Sequence, residues 1–172
     1  MIGIEDDSLL ALLNENNVII GSIPFSEYKK NPTEYKVLCI RVILVSEDKE
    51  FILSPGSFFK GSMYDTPYCT LLKSNEDYDT ALERISKIMP SAEIRFLTQY
   101  YNKDSKSNLS VRFYFSQQKV DDVKNYQEKV VLYPSEIGTD DVIENKILFE
   151  EIDFIKAHII PFLNLKINNS KA

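Results

Sequence analysis

The run KVLCIRVILVS at residues 36–46 constrains this chain more than any other feature. Between its leading lysine and its closing serine, Arg41 is the only charge, and β-branched side chains recur throughout. Such a run suits a strand buried on both faces of a central sheet, so the rest of the chain must supply cover for both faces. Glu47-Asp48-Lys49 then turns the chain into EFIL, which predicts a hairpin.

The flanking segments supply that cover. Asp6 or Asp7 is placed to cap a short helix through LLALLN, ending near Asn16-Asn17. NVIIGSIPFSEYKK reads as a short strand followed by an extended, proline-containing approach. After the loop SPGSFFKGSMYDT comes a short strand, PYCTLL. Residues 77–89, DYDTALERISKIM, have helical spacing: Tyr78, Ala81, Leu82, Ile85 and Ile88 share one face, and Pro90 ends the helix. Two long strands, AEIRFLTQYY and NLSVRFYFSQQ, join through the polar turn NKDSKS. The charged loop KVDDVKNYQE leads to the strand KVVLY, and a last helix is expected at about 150–163. Between them Glu136, Asp140, Asp141, Glu144, Glu150, Glu151 and Asp153 face only Lys146 in charge, the mark of a solvated surface. Strands around separated helices make this a mixed-sheet α/β, or α+β, fold in one domain, which suits 172 residues with 44% hydrophobic and 27% charged content.

That order of elements, with the segment YDTPYCTLLKSNEDYDTALERISKIMPSA at 64–92, resembles the Nudix family. The family motif is G-x5-E-x7-R-E-U-x-E-E-x-G-U, where U is aliphatic. With Arg84 on the motif arginine, Glu76 falls on the first glutamate, while Thr70 and Ser91 stand where glycines belong. The resemblance implies a Nudix-like mixed β-sheet sandwiched between helices. It places an N-terminal lead-in at 1–19, the domain at 20–165 and a polar tail at 166–172.

The same register puts Ile85, Ile88 and Met89 at the three helical glutamates that hold divalent metal in the family. Hard cations such as magnesium need oxygen ligands, and these side chains have none. Sliding by one residue substitutes Arg84, Lys87 and Ile88, two of which would repel a cation. The expectation is therefore a Nudix-like domain that binds a nucleotide or phosphorylated metabolite, or serves a regulatory role, without cofactor. The loop holding Lys60 would border the ligand cleft in such a fold, and Lys60, Glu76 and Arg84 are the expected ligand-binding residues. One rival is a nucleoside-diphosphate-type hydrolase that draws magnesium or manganese ligands from Glu76, Glu83 or the acids of 136–151. Another is a protein-interaction domain or homodimer, with an apolar patch around Phe58, Phe59, Met63 and Tyr64.

Other patterns carry less. Gly56 and Gly61 flank a loop that lacks the lysine and following helix of a phosphate loop. His158, the only histidine, lies beside an apolar helix face, and no G-x-S-x-G elbow accompanies it. One histidine and the two cysteines, Cys39 and Cys69, cannot assemble a four-ligand zinc site, and both cysteines sit in strand-like runs that suit packed, reduced thiols. Acids at the start of a helix are expected from its dipole alone, and the strand aromatics Phe96, Tyr100, Tyr101, Phe113, Tyr114 and Phe115 suit half-buried strands as well as a stacked base. A formal net charge of -6 argues against nucleic acid as partner. The opening residues lack the positive charge of a secretory signal and no run approaches the roughly 18 apolar residues of a membrane span, so the chain reads as cytoplasmic, with no membrane partner.

Overall fold

The computed structural model describes residues 1–48, 50–55, 64–65, 68–90, 93–103, 108–119, 130–132 and 160–161. The apolar run forms β3 (Val37–Val45), buried along its whole length, and Arg41 is buried with it. In the larger sheet the strand order is β5 (Tyr64–Asp65), β4 (Phe51–Pro55), β3, β8 (Asn108–Gln117), β7 (Ile94–Lys103). β6 (Tyr68–Leu71) also pairs with β3, and β9 (Val130–Leu132) with β4. Together with its helical segments this is the expected α+β fold. Among the described residues no helix is long and apolar enough to cross a membrane.

The chain groups into two compact units. One comprises residues 42–67, 90–98 and 114–172. Here β3 turns into β4 in antiparallel register, Leu44 opposite Ile52 and Val45 opposite Phe51. Ser46 ties the turn: its Oγ accepts from the backbone N–H groups of Asp48 and Glu50, at 3.2 and 3.1 Å. β9 lies antiparallel to β4, Phe51 opposite Leu132, and Ser54–Pro55 pair with β5 inside what reads from sequence as a loop.

The other unit comprises residues 1–41, 68–89 and 99–113. Its opening corrects the sequence reading: residues 9–13 are a strand, not a helix. β1 (Leu9–Leu13) pairs antiparallel with β2 (Ile19–Pro24), Leu10 opposite Ile23. The reason lies in the turn. Asn14 Oδ1 accepts from the N–H groups of Asn16 and Val18 at 2.9 and 3.0 Å, and Asn17 takes a left-handed φ of 60°. Asparagine favours that conformation, and a five-residue apolar run cannot by itself distinguish helix from strand. β1 is then bonded on its other edge, Ala11 N–H to Leu72 O and Leu13 N–H to Lys36 O, both at 2.9 Å. The expected extended approach after β2 is instead a single helical turn, α1 (Phe25–Tyr28).

Helix α2 spans Tyr78–Ser86, three residues shorter at its end than its periodicity predicts. Ala81 and Ile85 are fully buried as expected. Past Ser86 the buried face follows Ala81 and Ile85 to Met89, whose N–H bonds to Ile85 O at 3.1 Å, so Met89, off the predicted stripe, is buried and Ile88 is 47% exposed. Of the C-terminal helix, Ile160 and Pro161 are described and helical; its other residues, His158, the acidic stretch 136–153, the Phe58–Phe59–Met63 patch and the tail 166–172 lie outside the described residues.

Candidate functional site at the start of helix α2

Helix α2 is fixed at its N-terminus by residues of three different roles. Asp77 is the N-cap: its Oδ1 accepts from both the backbone N–H and the hydroxyl of Thr80, each at 2.8 Å. These bonds favour the ionised form, the backbone N–H first, and hold the Asp77 carboxyl below the usual aspartate value. Glu76 turns the other way. Its Oε1 accepts from Lys73 N–H at 2.8 Å, and both its oxygens take Arg84, Nε to Oε2 at 3.2 Å and Nη2 to Oε1. Asp79 lies in the first turn, where the helix dipole favours an acid.

Arg84 is the centre of the arrangement. Besides the two bonds to Glu76, its Nη1 donates to Ile2 O at 2.8 Å and to Thr70 Oγ1 at 2.7 Å, and its Nη2 donates to Leu71 O at 3.1 Å. All five guanidinium N–H groups of an arginine are thereby engaged. The Glu76 and Arg84 side chains are 6% and 18% exposed, so the pair is largely desolvated. Thr70 is fully buried, and its hydroxyl donates in turn to Ile2 O at 2.8 Å. Ile2 N–H completes the join by donating to Cys69 O at 3.2 Å. The cluster ties Glu76, just before α2, and Arg84, in its last turn, to β6 and to Ile2.

The structure thus brings Glu76 and Arg84 together, while Lys60 lies outside the described residues. Glu83, the other helical acid offered as a displaced metal ligand, pairs with Lys87 at 3.3 Å. Among the described residues no three His, Cys, Asp or Glu side chains gather closely enough to hold a metal ion. Cys39 is buried and Cys69 half-buried, and neither forms a disulfide. Of the aromatics, Phe113, Tyr114 and Phe115 are buried in the core, Phe96 stacks edge-on against Tyr114 at 5.6 Å, and Tyr101 lies under Lys36 Nζ at 3.9 Å. Thr70, Ile2 and Gly3 are the participants that sequence reasoning missed. Thr70 had a signal, since it occupies a motif glycine position, whereas nothing in spacing ties residues 2–3 to a helix about eighty positions later.

No family model matches the chain, and no curated protein does. Solved structures do. The DR0079 protein of Deinococcus radiodurans is similar with a TM-score of 0.71 at 14% identity, over 87% of this chain and 98% of that one. A mutT/nudix family protein from Listeria innocua is similar with a TM-score of 0.54 at 12% identity, over 79% of this chain and 98% of that one. The fold is Nudix-like. At these identities the likeness concerns the backbone, and a Nudix-like fold can host unrelated chemistries. Its use here has to be argued from the side chains of α2 and its neighbours.

Proposed function

We propose that this Nudix-like domain binds a nucleotide or another phosphorylated metabolite without metal-dependent hydrolysis, as a binding or regulatory module. The observation that carries the reading is what stands on α2 and just past its end at the positions where the resemblance puts metal-holding glutamates. Ile85 is fully buried, Met89 is 6% exposed, and Ile88 ends in solvent. None presents an oxygen, and a hard divalent cation does not fit this set. The neighbouring register fares no better, because Arg84 is committed to Glu76 and Lys87 to Glu83.

In this reading Lys60 is the direct anion contact, a point charge that suits phosphate. Glu76 and Arg84 act as positioning residues: they join the segment before α2 to its last turn, and a ligand reaching Arg84 must displace one of its present acceptors. A turnover assay on nucleoside diphosphate derivatives tests the proposal. No magnesium-dependent cleavage is expected. Efficient cleavage that is lost in Glu76→Gln would overturn it in favour of a hydrolase with displaced carboxylates.

A further inference from the structure

Two hydrogen-bond donors converge on one backbone oxygen beside α2. Arg84 Nη1 and Thr70 Oγ1 both point at the carbonyl oxygen of Ile2, each from 2.8 Å. Thr70 is fully buried and its hydroxyl accepts from Arg84 while donating to Ile2, so the two donors hold one another in place. A cationic donor and a buried hydroxyl aimed at a single oxygen is the donor set of an oxyanion seat, and arginine pairs especially well with the oxygens of carboxylate and phosphate. Yet the occupant is a neutral carbonyl.

We propose that Ile2 plugs an oxyanion seat made by Arg84 Nη1 and Thr70 Oγ1, and that lifting residues 1–3 opens the seat to an oxygen of a phosphate or carboxylate ligand. The inference rests on the phosphorylated-ligand reading above and gives that site a regulated entrance. Glu76 balances the charge of Arg84, so the seat suits one ionised oxygen rather than a multiply charged group. The plug lies at the surface: Met1 and Gly3 are exposed and Ile2 is half-buried, held by the two bonds to its carbonyl and by its N–H to Cys69 O. Exposed segments open locally before the fold does. Gly3 is what allows the plug to seat: its φ is +64°, and a Cβ there would stand 3.2 Å from both Cδ and Nη1 of Arg84. A β-branched residue is strained at that φ and crowds the guanidinium as well.

The test is arginine labelling with phenylglyoxal in the full chain, read at Arg84 by peptide mapping, for wild type and Gly3→Val. The plug predicts slow labelling in wild type and labelling faster by about tenfold or more in Gly3→Val, since one covering hydrogen bond to a charged group is worth roughly that factor. Phosphate or acetate, each against chloride at equal ionic strength, should then protect Arg84 in Gly3→Val, and protection should disappear when Thr70→Val is added. Protection by phosphate alone, or by acetate alone, supports the seat and names its ligand oxygen. Arg84 equally slow in wild type and in folded Gly3→Val would overturn the plug. Fast labelling that neither anion slows would overturn the seat and leave residues 1–3 a structural fastener. Gly3→Ala, with the same close Cβ and less strain, carries the test if Gly3→Val does not fold. A seat that opens and is protected, beside a wild-type chain that binds no phosphorylated ligand, would count against the function proposed above and not against the plug.

Discussion

At the scale of single residues, three neighbouring acids show how one local pattern splits into separate tasks. Acids at the start of a helix are what its dipole leads one to expect, and the structure divides Glu76, Asp77 and Asp79 into ion pair, cap and first-turn acid. The Glu76–Arg84 pair makes the sharper prediction. Removing one partner of a largely buried ion pair strands the other, at a cost of about 3–5 kcal/mol. Glu76→Ala and Arg84→Ala should each lower urea-unfolding stability by about 3 kcal/mol, and the double variant should cost less than their sum. Additive losses below about 0.5 kcal/mol each, the size of an ordinary surface change, would show that the pair is not coupled. Asp77 predicts a pH effect. Its carboxyl is depressed in the folded chain by the Thr80 N–H and hydroxyl, so its stabilisation is present above the unfolded aspartate value and is lost as pH falls through the lower folded one. NMR titration should find Asp77 ionising below the ordinary aspartate range, and Thr80→Val should bring it only part of the way back, because the backbone bond remains. An unshifted Asp77 would remove the cap from the account.

Elements were legible wherever their pattern was long. β3, the β3–β4 hairpin, β7, β8 and β9 stand where the sequence puts them, because runs of β-branched and aromatic residues bounded by polar turns admit few alternatives. LLALL failed for the opposite reason: five apolar residues serve a helix or a strand, and Asn14 and Asn17 decide in favour of the hairpin. α2 was placed correctly and made too long, since its apolar spacing continues past the point where Ser86 ends the helix. Asn17 offers a direct check on the hairpin. Asn17→Gly should hold or raise the melting temperature and Asn17→Ala should lower it, because alanine at a left-handed φ costs about 1 kcal/mol or more. The reverse order would favour a helical opening. Lys36 is a second check. It is buried, donates to Glu15 O at 3.3 Å and lies 3.9 Å above the Tyr101 ring, so Lys36→Met should raise hydrogen exchange at Asn14 and Val18 without unfolding β3. Unchanged exchange there would mean that Lys36 does not tether the hairpin.

For the molecule as a whole, the order of elements was readable apart from the opening hairpin, α1 and β5, and the similarity to a solved mutT/nudix family structure agrees with it. The use of the fold was less readable. Arg84 draws its partners from residue 2, residues 70–71 and residue 76, and no local periodicity links such distant positions. The central claim is that the domain binds a phosphorylated ligand without metal. A thermal-melt screen of the full chain against nucleotides, nucleotide sugars and diphosphates, with and without magnesium, tests it most directly. At 100 times its Kd a ligand adds about 2.7 kcal/mol, and each kcal/mol moves a domain of this size by roughly 2–4 °C, so binding is visible as a shift of several degrees. The account predicts such a shift for at least one phosphorylated compound, equal in magnesium and in chelator. A shift that appears only with magnesium, accompanied by turnover of the same compound, would contradict it.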